Sequence, residues 1–155
     1  MRNVPPAIAE FLSQRRIAVA GVSRDSRSAA NLIYRTLRKA EYDVWAVNPN
    51  ATEVEGGPCY ADLADLPEPV DGVVIATHPD VATEVVARCA ERGIPRVWFH
   101  RSFGQGSVSA AAVDAARAHG LTVIVGGCPV MFCEPVDIGH RCMRGILRLA
   151  GRLPR

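Results

Sequence analysis

Short apolar runs alternate with segments of helical period along this chain. Residues 17–20 read IAVA, extended by Val22, the pattern of a parallel strand covered on both faces. Similar runs return at 43–47 (DVWAV), 70–76 (VDGVVIA), 95–99 (PRVWF) and 121–125 (LTVIV). Between them, Ala30, Ile33, Leu37 and Ala40 mark one face of a helix over 28–40. Val81, Val85, Cys89 and Arg92 mark another, launched after Thr77 by Pro79 and stopped at Gly93. Val108, Ala111, Ala112 and Ala115 give a third over 107–119. A fourth, over 138–150, sets Ile138, Cys142, Ile146 and Leu149 against a stripe of Arg141, Arg144 and Arg148. Ile8, Phe11 and Leu12 follow two prolines in a short amphipathic helix. Gly56, Gly57, Pro58, Pro67 and Pro69 break residues 50–69 into a short edge strand near Cys59 and Tyr60 and one helical turn over 62–66.

Strands alternating with helices predict a doubly wound parallel sheet, a Rossmann-like α/β fold. One domain is expected over residues 1–155, with an N-terminal helical segment (1–15) and a C-terminal helix (138–150) packing on it. In such sheets ligands bind at the carboxyl edge, where strand order reverses. The loops at Ser23, Asn48, Thr77, His100 and Cys128 are all expected there, facing one crevice. The first is the most informative: the apolar run stops at Gly21 and is followed by Ser23, Arg24, Asp25, Ser26, Arg27 and Ser28 before the helix begins. Strand, small-residue turn and helix start make an anion site, and a phosphate is the natural guest. An ordinary Ser-capped turn has the same appearance. Of the dinucleotide fingerprint G-x-G-x-x-G only Gly21 is present, and Val47, Asn48 and Pro49 stand where NAD would require a carboxylate, so NAD is disfavoured.

Composition narrows the function classes. The net charge of +2 does not argue for a nucleic-acid partner, and no apolar run approaches the roughly 20 residues of a membrane span. The N-terminus lacks the apolar stretch of a signal peptide, and a cytoplasmic location is expected. Five cysteines at irregular spacing, with no C-x-x-C pair, predict reduced thiols and no structural zinc. Cys128, between two glycines and a proline at a strand end, is a candidate nucleophile, and a buried structural thiol is the other reading. His78, His100 and His140 lack the spacing of a helical metal site, and an Asp137–His140 pair is explained by a local hydrogen bond. No catalytic residue and no metal ligand is assigned.

The segment G-V-S-R-D-S-R (21–27), Asn31, V-N-P (47–49), V-D-G-V-V-I-A followed by His78 and Pro79, V-W-F (97–99) and G-C-P (127–129) together resemble the small stand-alone CoA-binding domain proteins. That family's fold is similar to the CoA-binding domain of the succinyl-CoA synthetase alpha subunit. The resemblance covers most of the chain and implies coenzyme A or an acyl-CoA as the small-molecule ligand. The nucleotide end would be embraced by Gly21, Ser23, Arg24, Arg27, Val47, Asn48 and Pro49, with Thr77, His78 and Pro79 along the neighbouring wall. After W-F the family carries glutamine and a nearby glycine, whereas this chain reads His100, Arg101, Ser102, Phe103. No second domain of the kind that carries the phosphorylated histidine of the synthetases is seen, so binding rather than ligase activity is expected. Two alternatives stay open: a nicotinamide-dependent oxidoreductase, and an enzyme using Cys128 on a thioester. A homo-oligomer is compatible with all three.

Overall fold

A computed structural model describes residues 4–135 and 138–154. Its centre is a seven-stranded sheet in the order β3-β4-β2-β1-β5-β6-β7. The strands are β1 (Arg16–Ala20), β2 (Asp43–Val47), β3 (Glu53–Val54), β4 (Gly57–Tyr60), β5 (Gly72–Ile75), β6 (Arg96–Phe99) and β7 (Thr122–Val125). All neighbours pair parallel except β3 and β4, which form a small antiparallel hairpin at the edge. The chain moves outward from β1 to β2 and β4, then returns to lay β5 on the other side of β1. The reversal of strand order therefore falls between β1 and β5, the doubly wound arrangement expected from the sequence.

Strand alternation divides the core in two. Ile17 and Val19 of β1 point into a cluster with Ile8 and Phe11 of α1 (Pro6–Leu12), Ile33 and Leu37 of α2 (Ala29–Lys39), and Leu147 of α5 (Ile138–Leu149). Ala18 and Ala20 point the other way. They meet Ala82, Val86 and Cys89 of α3 (Pro79–Glu91) and Ala112 and Ala116 of α4 (Ala110–Ala118). Helices thus cover both faces, which is why the strands read as unbroken apolar runs rather than alternating ones. Trp98 is fully buried, meets Phe11 edge-on at 5.4 Å and donates its indole N–H to the Gly126 carbonyl at 2.9 Å. The buried indole therefore keeps a hydrogen-bond partner.

Three helix faces differ from the sequence reading. On α3 the core-facing residues are Ala82, Val86 and Cys89, while Val81 is 44% exposed. On α4 they are Ala112, Val113 and Ala116. On α5, Leu147 is buried and Met143 packs on the core, whereas Cys142, Ile146 and Leu149 face outward. The reason on α5 lies in Arg144: its guanidinium donates to the Met131 carbonyl at 2.9 Å and lies over the Phe132 ring, which turns the Arg144 side of the helix inward. The strand near Cys59 is not an edge strand, because β3 covers it. Asp137 lies outside the described residues.

Candidate functional site

The site is built at the carboxyl ends of β1, β2 and β5. β1 ends at Ala20, and Gly21 turns the chain with φ +105°. A Cβ at this position would lie 2.5 Å from the Ala76 carbonyl oxygen, so only glycine lets the ends of β1 and β5 approach this closely. Gly21 N–H donates to the Val47 carbonyl at 2.9 Å and Ala76 N–H to the Ala20 carbonyl at 2.9 Å, joining all three strand ends.

Two side-chain amides, one buried and one half-buried, shape the loop that follows. Asn31, 1% exposed, accepts from Ser23 N–H (2.8 Å) and the Ser28 hydroxyl (2.6 Å) and donates to the Ser23 carbonyl and a Glu55 carboxylate oxygen (both 2.7 Å). Asn48 donates to the Val22 carbonyl at 2.9 Å and accepts from Asn50 N–H at 2.9 Å. Within the loop, Ser23 Oγ accepts from Asp25 N–H, and Asp25 accepts from Arg27 N–H and from its guanidinium at 3.0 Å. The Arg27 side chain beside Asp25 holds that carboxyl below its ordinary range. Ser28 caps α2, its hydroxyl accepting from Asn31 N–H.

A cleft of about 410 Å³ opens between these loops and α3. Of the residues singled out in the sequence, Gly21, Val47, Asn48, Pro49, Thr77 and His78 line it. Ser23, Arg24, Arg27 and Pro79 do not. Arg24 instead flanks an adjoining hollow of about 350 Å³ shared with Pro49 and Asn50. Arg27 is held against Asp25 with 88% of its side chain exposed. Pro79 is the first residue of α3, and His78 caps that helix, Nδ1 accepting from Asp80 N–H at 3.3 Å.

The opposite wall escaped the sequence reading. It consists of Val81, Glu84, Val85 and Arg88 on α3, with Asp62 and Leu63 from the 3₁₀ turn at Leu63–Asp65. Arg88 lies 3.0 Å from an Asp62 carboxylate oxygen and 2.8 Å from one of Glu91, so the cation of this wall is fixed between two acids. The signal was present as one face of a helix, at spacings of three and four from Val81, but its mixture of apolar and charged residues resembles a half-solvated surface.

The remaining two loops do not reach the cleft. His100 is buried, its pKa pushed down to about 4 by burial, and its Nε2 stands 3.3 Å from Ser102 Oγ. Cys128 is buried as well. Burial pushes its thiol up to about 11, and hydrogen bonds with the Val130 backbone and the Ser102 side chain oppose that shift. At neutral pH this group is a thiol, not the thiolate a nucleophile requires. Among the described residues no cluster of three metal-ligating side chains occurs. No described helix is long and apolar enough to cross a membrane.

Comparison with known proteins gives concordant results. Over 118 residues the chain is 27% identical to acetate–CoA ligase [ADP-forming] I of Archaeoglobus fulgidus, covering 72% of this chain and 17% of the ligase. Over 125 residues it is 25% identical to the alpha subunit of acetate–CoA ligase [ADP-forming] II of Pyrococcus furiosus, covering 76% of this chain and 27% of that subunit. The chain thus spans less than a third of these relatives. Among solved structures, a hypothetical protein of Pyrococcus horikoshii superposes with a TM-score of 0.74 at 26% identity, covering 97% of this chain and 99% of the other. A Thermus thermophilus protein superposes with a TM-score of 0.69 at 27% identity, covering 77% and 88%. The CoA binding domain family matches residues 15–134, most of the chain and every loop described above, and the protein belongs to that family.

Proposed function

We propose that this chain binds coenzyme A or an acyl-CoA in the cleft between β1, β2 and α3, nucleotide end inward, without chemistry of its own. The observation that carries the reading is the convergence of Gly21, Asn48, Pro49, Thr77 and His78 on one cleft of about 410 Å³ in a member of the CoA binding domain family. The cleft has the character a nucleotide needs. Val47, Pro49, Val81 and Val85 offer apolar walls for a flat base, and Asn50 and Asp62 add polar groups to the lining. The first turn of α2 presents amide N–H groups beyond Ser28, the end of a helix that favours a phosphate. Arg24, beside Pro49 and Asn50, is the loop cation best placed to accompany it. The buried, protonated Cys128 and the neutral His100 support binding without thioester chemistry.

The test is a thermal melt with CoA, dephospho-CoA and NAD at equal concentration. A ligand at about a hundred times its Kd stabilises the native state by about 2.7 kcal/mol, roughly 5 to 10 °C in a domain of this size. CoA is expected to give such a shift, dephospho-CoA a smaller one and NAD none. A larger shift with NAD would transfer the cleft to a nicotinamide cofactor, and no shift with any of them would reduce the Gly21 turn to an ordinary capped loop.

A further inference from the structure

A second pocket, of about 310 Å³, opens over the ends of β6 and β7 and is lined by Arg101, Ser102, Phe103, Gly104 and Arg152. Arg101 is fixed at its backbone, donating its N–H to the Gly127 carbonyl at 3.0 Å. Its guanidinium lies across Gly126, 3.2 Å from where a Cβ would stand. Arg15, Arg27, Arg35, Arg88 and Arg96 each hold a carboxylate within the structure. Arg101 and Arg152 hold none among the described residues. Two guanidinium groups around one hollow, without internal counter-charge, form a receptor for an anion, and their planar forks suit a carboxylate. Ser102 adds a hydroxyl, and Phe103, 63% exposed, adds an apolar lip.

The pocket's place on the sheet edge gives the anion a source. His100 N–H donates to the Ile75 carbonyl at 3.0 Å, so the loop carrying Arg101 leaves the sheet beside Ala76 and Thr77, which line the nucleotide cleft. Neighbouring strands are about 4.8 Å apart, and the two sites are therefore successive stations along one edge. A CoA thioester is an extended ligand with its nucleotide at one end and its acyl group at the other. Resting on the CoA reading above, we infer that Arg101 and Arg152 form a subsite for the free carboxylate of a dicarboxylic acyl group, so that acyl-CoAs ending in a carboxylate are preferred over CoA and neutral acyl-CoAs.

Calorimetric titration of the full chain with CoA, butyryl-CoA and glutaryl-CoA tests this. Glutaryl-CoA is expected to bind roughly ten- to a hundred-fold more tightly than butyryl-CoA, the range of a charge-assisted contact. Arg101→Ala and Arg152→Ala should each remove most of that preference and leave the Kd for CoA within about two-fold. Arg152 is exposed and makes no side-chain bond among the described residues, so its variant should fold whatever becomes of the other. If CoA binds and glutaryl-CoA binds no better than butyryl-CoA, the subsite is refuted and the cleft assignment stands. If either alanine variant weakens CoA itself as much as glutaryl-CoA, the arginines read the cofactor's own phosphates and the proposal falls. If none of the three binds, the CoA reading fails and takes the subsite with it.

Discussion

Replacing Gly21 by alanine tests the geometry on which the cleft depends. An L-residue at φ +105° lies outside the ordinary left-handed basin, and such backbone strain costs about 1 to 3 kcal/mol. The new methyl would also stand 2.5 Å from the Ala76 oxygen and 2.8 Å from its carbonyl carbon. Relief requires the end of β5 to move by most of an ångström, and overpacking of this kind costs about 1 to 3 kcal/mol more. The sum is about 2 to 6 kcal/mol, or roughly 4 °C to more than 15 °C in Tm for a domain of this size. Gly93→Ala is the control: Gly93 has φ +66°, and nothing lies within 4 Å of its added Cβ, so only the left-handed backbone penalty of about 1 to 2 kcal/mol applies. Urea denaturation of both variants and the parent separates the two contributions. Gly21→Ala should lose clearly more stability than Gly93→Ala, and CoA should bind it more weakly because Ala76 and Thr77 have shifted. Equal losses in the two variants would show that the close approach of β1 and β5 carries no energy, and the account of the strand junction would be wrong.

Three further outcomes are expected. His100 takes up a proton near pH 4 when folded and near 6.5 when unfolded, so between those values the unfolded chain binds more protons and stability falls as pH drops. The loss approaches about 3 kcal/mol by pH 4, and the pH dependence of the urea midpoint should flatten in His100→Gln; parallel curves for the two proteins would refute the burial of a neutral imidazole. Asn31→Ala strips the Ser23 amide and carbonyl of their partners and should cost about 2 to 4 kcal/mol in urea denaturation, with a parental midpoint counting against the network. On α5, Leu147→Ala should cost about 2 to 4 kcal/mol and Ile146→Ser less than about 0.5, a contrast readable from melts alone; the reverse order would mean the helix is turned the other way.

The sheet was legible because doubly covered strands must be continuously apolar, and segments such as IAVA and DVWAV between helical patterns leave few other arrangements. Helix faces were less legible. Val81 and Val85 look like core residues by spacing, and only the position of α3 over the sheet edge makes them a cleft wall. On α5 the obvious apolar stripe of Cys142, Ile146 and Leu149 faces outward, because the contacts of Arg144 with Met131 and Phe132 link residues whose proximity no local pattern records. Gly21, Asn48 and Pro49 announced the site because their chemistry is local. Asp62, Glu84, Arg88 and the convergence of Arg101 and Arg152 on one pocket depend on tertiary contacts and could not.

The network around Asn31 bears on how fast a ligand can be taken up. With both ends of that amide bonded, and Asn48 fastening Val22 to the second loop, the segment from Gly21 to Ser28 is held at Val22 and Ser23 by bonds within the chain itself. On the proposed CoA reading, a ligand meeting a segment held in this way would not wait for it to order and would lose little contact energy to that process. Association should then be a single encounter step, with an observed rate that rises linearly with ligand concentration and does not level off, so that differences in affinity between CoA derivatives reside in their residence times.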